Sequence, residues 1–380
     1  MSVSERYLLL GLRLNRHVDG IVDAYYGPLE LAEQAKAEEL VPPAELAAEA
    51  DSLLGLTGDG WLGDQLRGVR TYVGVLAGEQ ISYVDEIERS YGVRPSIVDP
   101  AVYAEVHERL DELLPGEGTL VERRRAWREA HAVSGEQVGP ALRAVVDYLR
   151  GRTAALLGLP EGEHLRVEEV TDEPWWGFNY YEGNLGSRTV INTDHLTTGW
   201  ELVHLAAHET YPGHHTEHAW KETTLVRERG VVEEAIFLVP TPQSLIAEGI
   251  AEAGPGILID AEAREDLQRL LAGHGIDYDA ELAHQVSSVG EGLRTVGLDA
   301  ALMIYEEGRT IEDAQAHIER WGLRTPEEAK DGVRFFVNPT WRAYTVTYSA
   351  GRDLCRAWTG GDPARFRRLL TEQLRVGELQ

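Results

Sequence analysis

From residue 1 to about 112, apolar positions recur every three or four residues, the spacing of amphipathic helices. The runs are cut at Gly27-Pro28, Pro42-Pro43, Gly58-Asp59-Gly60 and Tyr91-Gly92. The pattern predicts an all-helical start. A break falls at Leu114-Pro115-Gly116-Glu117-Gly118-Thr119, and 120–157 is again helical in pattern. After Gly158-Leu159-Pro160-Glu161-Gly162 the period changes. Leu165, Val167 and Val170 suggest a short strand, and 178–182 with 187–192 read as two strands joined by Gly183-Asn184-Leu185-Gly186, whose Gly and Asn supply turn conformations. Strands are predicted almost nowhere else.

Helical periodicity then resumes. Thr198-Gly199-Trp200-Glu201 has the form of a capping box, and Trp200, Val203 and Ala207 give the helix it opens an inward stripe. A second helix is announced by Thr241-Pro242, continues through Leu245, Ile246 and Glu248, and meets a stop signal at Gly254-Pro255-Gly256. Beyond it, 278–307 is one long helical pattern and 311–321 another, Thr325-Pro326-Glu327-Glu328 opens a third, Pro339 ends a segment, and 341–358 with 363–376 close the chain in helices. The reading is a mainly α (α+β) protein: an N-terminal helical region, 1–160, and a second region, 161–380, with a small antiparallel sheet ahead of the helix that starts near Thr198.

Composition narrows the partners. Lys and Arg total 36 against 64 Asp and Glu, a formal charge of −28, which argues against nucleic acid or an anionic membrane surface. Cys355 is the single cysteine, so no intrachain disulfide or thiolate-rich metal site can form, and it reads as a small buried residue. The apolar run Tyr7-Leu8-Leu9-Leu10 is too short to span a membrane. The expected compartment is the cytoplasm.

The candidate chemistry lies in His208-Glu209-Thr210-Tyr211-Pro212-Gly213-His214-His215. In a helical HExxH motif, imidazoles four residues apart share a face and can hold zinc beside a carboxylate. Here the fifth position is Pro212. In an unbroken helix, residues six apart are about 120° out of alignment and residues seven apart stand about 10 Å apart along the axis, so neither His214 nor His215 could share a metal with His208. Pro212 offers no N–H to the carbonyl of His208, and Gly213 tolerates unusual backbone angles. The pair therefore predicts a widened or broken turn that brings round His214, which needs a smaller distortion than His215. A third ligand is expected on the next helix, from Glu248 or, one turn later, Glu252. Glu209 is the candidate general base, and Tyr348 the candidate donor to a developing oxyanion. His204, His215 and His218 are candidates for supporting or substrate-facing positions. Trp175-Trp176 and Tyr180-Tyr181 could line a cleft, although packing is their simpler role.

The HExxPGHH run resembles the signature of a bacterial family known as domain of unknown function 885, which is itself similar to the gluzincin peptidases. That family carries an EGWA segment, which Glu248-Gly249-Ile250-Ala251 resembles, and a YxxG element, matched by Tyr348-Ser349-Ala350-Gly351. The first of these is also similar to the NEGxA of zinc aminopeptidases, whose Glu is a zinc ligand, and Gly213-His214 resembles the Gly-His of oligopeptidase HExGH motifs. The resemblance thus implies His208, His214 and Glu248 as metal ligands and a zincin-like helical fold. Two departures mark a divergent member: Ile250 stands in place of Trp, and Asp299-Ala300-Ala301-Leu302-Met303 lacks an expected histidine. The expected activity is zinc-dependent hydrolysis of a peptide or small amide, with Glu209 as base. The alternatives are a non-catalytic peptide-binding protein of the same fold and a zinc hydrolase of non-peptide amides or esters.

Overall fold

In the computed structural model, which describes residues 1–173, 176–338 and 341–380, helices dominate, and the described strands form two small sheets. Trp175 and Pro339, both singled out in the sequence, lie outside the described residues. The hairpin forms where its turn residues predict it. Strands β3 (Gly177–Gly183) and β4 (Gly186–Asn192) pair antiparallel. Asn184 and Leu185 at the tip have φ of 54° and 62°, as a two-residue I′ turn requires. Strand β2 (His164–Val170) adds to the other side of β4 and runs parallel to it, so the order is β2-β4-β3 and the sheet is mixed rather than purely antiparallel. Burial explains the order: β4 is buried at nearly every position and takes the centre, whereas β2 has no fully buried residue and takes an edge.

A further sheet corrects the all-helical reading of the N-terminal region. Strand β1 (Val22–Tyr25) pairs antiparallel with β5 (Ile236–Leu238). Neither strand is long enough to show a period of two, and each is stabilised by a partner far away in sequence. The largest apolar core likewise ignores position 160, joining Tyr7, Leu10, Val69 and Tyr91 to Leu245, Ile250, Phe366 and Leu370. A second core packs Val138, Leu142 and Val145 of helix Gly135–Leu156 against Leu202, Val203 and Ala206 of helix Gly199–Glu209. That helix opens on the predicted capping box: Thr198 N–H donates to Glu201 at 2.9 Å, and Glu201 N–H donates to the Thr198 hydroxyl at 3.3 Å.

Two predicted helix boundaries move. Helix Pro242–Leu258 runs straight through Gly254-Pro255-Gly256. Pro255 lies within the last turns, where its missing N–H removes one helical bond rather than ending the helix. Gly254 serves a contact instead, since a Cβ there would lie 2.7 Å from Cγ of Pro212. The pattern at 278–307 is divided into helices Ala280–Gly290 and Val296–Tyr305 by a 3-10 turn at Glu291–Leu293. There Gly292 sits against Val106, whose Cγ2 would be 2.6 Å from an added Cβ.

Helix Pro242–Leu258 crosses the segment that carries Tyr348 at two glycines. A Cβ on Gly249 would stand 2.3 Å from the Gly351 carbonyl oxygen, and one on Gly351 would stand 2.2 Å from that of Leu245. Gly256, on the same helix, has nothing within 4 Å. Gly249→Ala is therefore expected to destabilise the protein by about 1–3 kcal/mol through overpacking. Gly256→Ala should be neutral or stabilise it by up to about 1 kcal/mol. Urea unfolding of the two variants measures both effects, and equal values would remove the close crossing from this account.

Candidate metal centre

The helix capped by Thr198 stops at Glu209, and a new one, His214–Lys221, follows after four intervening residues. Between them Thr210 N–H and Tyr211 N–H both donate to the Ala206 carbonyl, Gly213 N–H donates to that of Ala207, and the Tyr211–Pro212 peptide is cis. The chain folds back so tightly that a Cβ on residue 213 would lie 1.8 Å from the His208 carbonyl oxygen, so only glycine fits. The break presents His214 to His208 from the start of the second helix.

Nε2 of His208 and Nε2 of His214 stand 3.2 Å apart. The Glu248 carboxylate completes a triangle with them, Oε2 at 3.5 Å from His208 and Oε1 at 3.6 Å from His214. Ligands bound tetrahedrally at about 2.0–2.1 Å are separated from one another by ~3.3–3.4 Å. These three side chains are therefore spaced as a His-His-Glu metal centre needs, and as a group they could hold a metal ion. Glu248 Oε2 is buried with no hydrogen-bond donor, which leaves lone pairs aimed into the cluster. The Glu209 carboxylate comes within 4.0 Å of His208 Nε2, beside the same point.

The surroundings favour a cation. Burial alone would push the His214 imidazole down, but its bond to Glu248 and the nearby Glu209 and Glu217 hold it up, at about 10. Burial likewise works against the Glu248 carboxylate, yet His214, His208 and the Tyr344 hydroxyl keep it below the usual range. Asp23, from β1, is pushed up to about 7 by burial and by Glu248 and Glu209, against the pull of His214. A buried group of carboxylates that raises one neighbour's pKa and depends on cationic histidines for another's is a site short of positive charge.

Glu252, the competing third ligand in the sequence, occupies the opposite side of His208. Its Oε1 is 3.5 Å from Nδ1, and its Oε2 is ion-paired with Arg294 at 2.5 Å. A carboxylate on the far nitrogen orients the ring so that Nε2 faces the metal point. Glu252, His208 and His204 also form a group with ligand spacing, but the Arg294 guanidinium already neutralises that carboxylate. Tyr344, which sequence reasoning missed, donates its O–H to Glu248 Oε1 at 2.6 Å. Its signal was available in the four-residue spacing from Tyr348, which places both on one helical face. Arg294 and Asp23 carried no comparable signal.

The remaining candidates separate. Tyr348 sits in a π-helical turn, Thr347–Gly351, packs edge-on against Tyr344 and is 36% exposed toward a cavity of about 810 Å³. His204 and Trp176 line the same cavity. His215 does not reach the metal point: it is fully buried, with Nδ1 2.8 Å from the Ser187 hydroxyl and Nε2 2.9 Å from Glu163. His218 is not substrate-facing either, because it is stacked on Tyr181 and packed against Phe237. Tyr181 donates to Glu222, and Tyr180 lies beneath Arg188, so both tyrosines pack rather than line a cleft.

Fold and site thus define a mainly helical protein with a candidate His-His-Glu metal centre. No family model matches the sequence, and no curated protein does. Among solved structures the chain is similar to "the putative lipoprotein from Colwellia psychrerythraea", with a TM-score of 0.57 and 14% identity over 88% of this chain and 61% of that one. It is also similar to "a putative lipoprotein of unknown function from Shewanella oneidensis", with a TM-score of 0.50 and 17% identity over 92% of this chain and 64% of that one. These likenesses show a shared fold. The chain spans less than two thirds of the length of either neighbour. Among the described residues, no helix is long and apolar enough to cross a membrane.

The anchorage of the broken turn yields a pH prediction. Glu163 accepts hydrogen bonds from His215, Tyr211 and Arg150. Burial opposes its charge, but these partners hold the carboxyl down at about 2, against 4.5 when unperturbed. The native state gives up this proton more readily than the unfolded chain does, so the contribution is fully present above pH ~4.5 and drains away between about 4.5 and about 2. Glu163→Gln should cost a few kcal/mol at pH 7, with the two proteins converging in stability toward pH 2–3. Denaturation midpoints across that range test it, and a constant gap would contradict the assignment.

Proposed function

We propose that the protein is a zinc-dependent hydrolase of peptide or other small amide bonds, and that it is a divergent member of the family its HExxPGHH, EGIA and YSAG segments resemble. The observation that carries this reading is the triangle of His208 Nε2, His214 Nε2 and the Glu248 carboxylate oxygens at 3.2–3.6 Å, with Glu209 beside it; His204, one turn before His208, and Tyr348 line a cavity nearby. Two imidazoles and one carboxylate suit zinc, and three protein ligands leave a position open, as in catalytic rather than structural sites. When bound, the metal supplies a Lewis acid that polarises a carbonyl and makes water easier to deprotonate.

The chain's own residues do the rest. Glu209 takes the proton of the attacking water as its oxygen bonds to the carbonyl carbon, and delivers that proton to the nitrogen as the C–N bond breaks. The products are a carboxylate and an amine. Although Tyr348 is partly open to the cavity, it remains protonated, since desolvation of its hydroxyl and the carboxylates of Glu248, Glu209 and Glu252 hold it well above the ordinary range. It can therefore donate to the oxygen that becomes anionic. Tyr344 holds Glu248 in place, and Glu252 with Arg294 holds His208.

Metal analysis of protein purified without added zinc should find about one equivalent per chain, and His208→Ala should lose it. Glu209→Gln should keep the metal and lose activity on a mixed peptide library by roughly 10²–10⁴-fold, the scale of general base catalysis. A wild-type protein that neither carries metal nor takes it up would defeat the reading, as would a metal-replete Glu209→Gln protein with full activity.

A further inference from the structure

The cavity that His204 and Tyr348 line, near the candidate metal centre, is basic at one end, in a chain whose formal charge is −28. Arg124, Arg128 and Arg324 line it there. The two acids nearest them, Glu201 and Glu328, are already engaged in capping helices: Glu201 accepts from Thr198 N–H and Glu328 from Thr325 N–H. Glu201 also pairs with Arg128 at 2.8 Å, whereas Glu328 lies 3.6 Å from Arg324 and 3.7 Å from Arg128, beyond hydrogen-bond reach. The other lining acids are committed to arginines outside the cavity, Glu291 to Arg356 and Asp331 to Arg334.

Arg124 is the least closely paired of the three. Among the described residues it makes no ion pair, and the hydrogen bond it does make donates to the Leu323 carbonyl at 3.1 Å. Burial, with Arg324 and Arg128 nearby, pushes it down to about 10, against the pull of the Glu328 and Glu201 carboxylates. Two more buried donors in the same wall, Arg128 Nε and Trp127 Nε1, have no acceptor. Three guanidiniums facing two carboxylates that are already shared with helix caps leave this end of the cavity one positive charge in excess, a setting that suits an anion with planar oxygens.

The place of this site follows from the helix. Glu201, paired with Arg128, and His208 lie on helix Gly199–Glu209, with the cavity-lining His204 between them. Seven residues at ~1.5 Å each put the arginine group roughly 10 Å from the first metal ligand. An extended peptide covers that distance in about three residues. We propose that this end of the cavity binds a substrate carboxylate, so that the enzyme acts on short peptides or amides whose free carboxylate lies two to three residues from the bond cleaved. This rests on the hydrolase reading for its substrate, but the anion site stands on its own geometry.

The test is calorimetric binding to the Glu209→Gln protein, which holds peptides without turning them over, using three probes. They are N-acetyl-trialanine with a free C-terminus, the same peptide as its C-terminal amide, and N-acetyl-Ala-Glu-Ala amide. The free acid should bind at least about tenfold more tightly than its amide, as expected of one charge-assisted pair. Arg124→Gln should erase that ratio, Arg324→Gln should reduce it, and Arg269→Gln, on a distant exposed helix, should leave it intact, with thermal melting unchanged in all three. Tighter binding of the glutamyl amide than of the free acid would support the anion site and assign it to a side-chain carboxylate. Equal binding of all probes, no binding at all, or a ratio that survives Arg124→Gln overturns the proposal. Cleavage by the wild-type enzyme without carboxylate preference would sink the anion site alone, and preference without cleavage would sink the hydrolase reading alone.

Discussion

One contact, Pro212 against Gly254, connects the parts of the candidate metal centre. The turn between Glu209 and His214 closes only because residue 213 has no side chain to strike the His208 carbonyl, and the proline before it projects onto the helix that carries Glu248. A side chain at 254 would push that helix away from the turn. The two histidines are thus set by a local backbone fold, and the third ligand is set by how closely a separate helix approaches that fold. The spacing of the three ligand atoms, near the edge of a zinc tetrahedron, is the product of two glycines and a proline as much as of the ligands themselves.

The side chains around the centre form layers of opposite charge. His208 lies between Glu248 on one nitrogen and Glu252 on the other, and Arg294 balances the outer carboxylate. Glu248 in turn is held by Tyr344. Behind the turn, His215 ties the second helix to Glu163 and Ser187, away from any metal. Adjacent histidines in the sequence therefore do different work. His214 faces His208 and Glu248, and His215 fastens the helix to the sheet, as expected of neighbours about 100° apart on a helix.

Features specified over short distances were legible in the sequence. The capping box at Thr198, the hairpin at 183–186, the interruption at Pro212 and the start of a helix at Pro242 each depend on a few neighbouring residues, and all are present. The spacing of His208 and His214 with Glu248 could be anticipated because the breaker residues and the resemblance pointed the same way. What depends on distant partners was not legible. Strand β1 exists because β5 pairs with it across most of the chain. Gly254-Pro255-Gly256 has the composition of a stop but lies in a helix, where Gly254 meets Pro212 from a distant turn. Glu252 resembles a ligand by spacing, and only the position of Arg294, on a turn forty residues later, gives it a different part. The single long helix expected at 278–307 gave way to two, joined by a 3-10 turn where Gly292 sits against Val106 of a distant helix.

The crossing of Gly249 and Gly351 ties together two short motifs that sequence alone presents as separate. Glu248 and Tyr348 each stand beside or near a glycine whose role is to let two helical segments touch. A mutation at either glycine meets a penalty in stability before any effect on chemistry arises, and it can be tolerated only if the opposite backbone moves as well. The pair would therefore drift through a lineage together, and a related protein that had lost its metal could keep both glycines as a relic of how its helices pack.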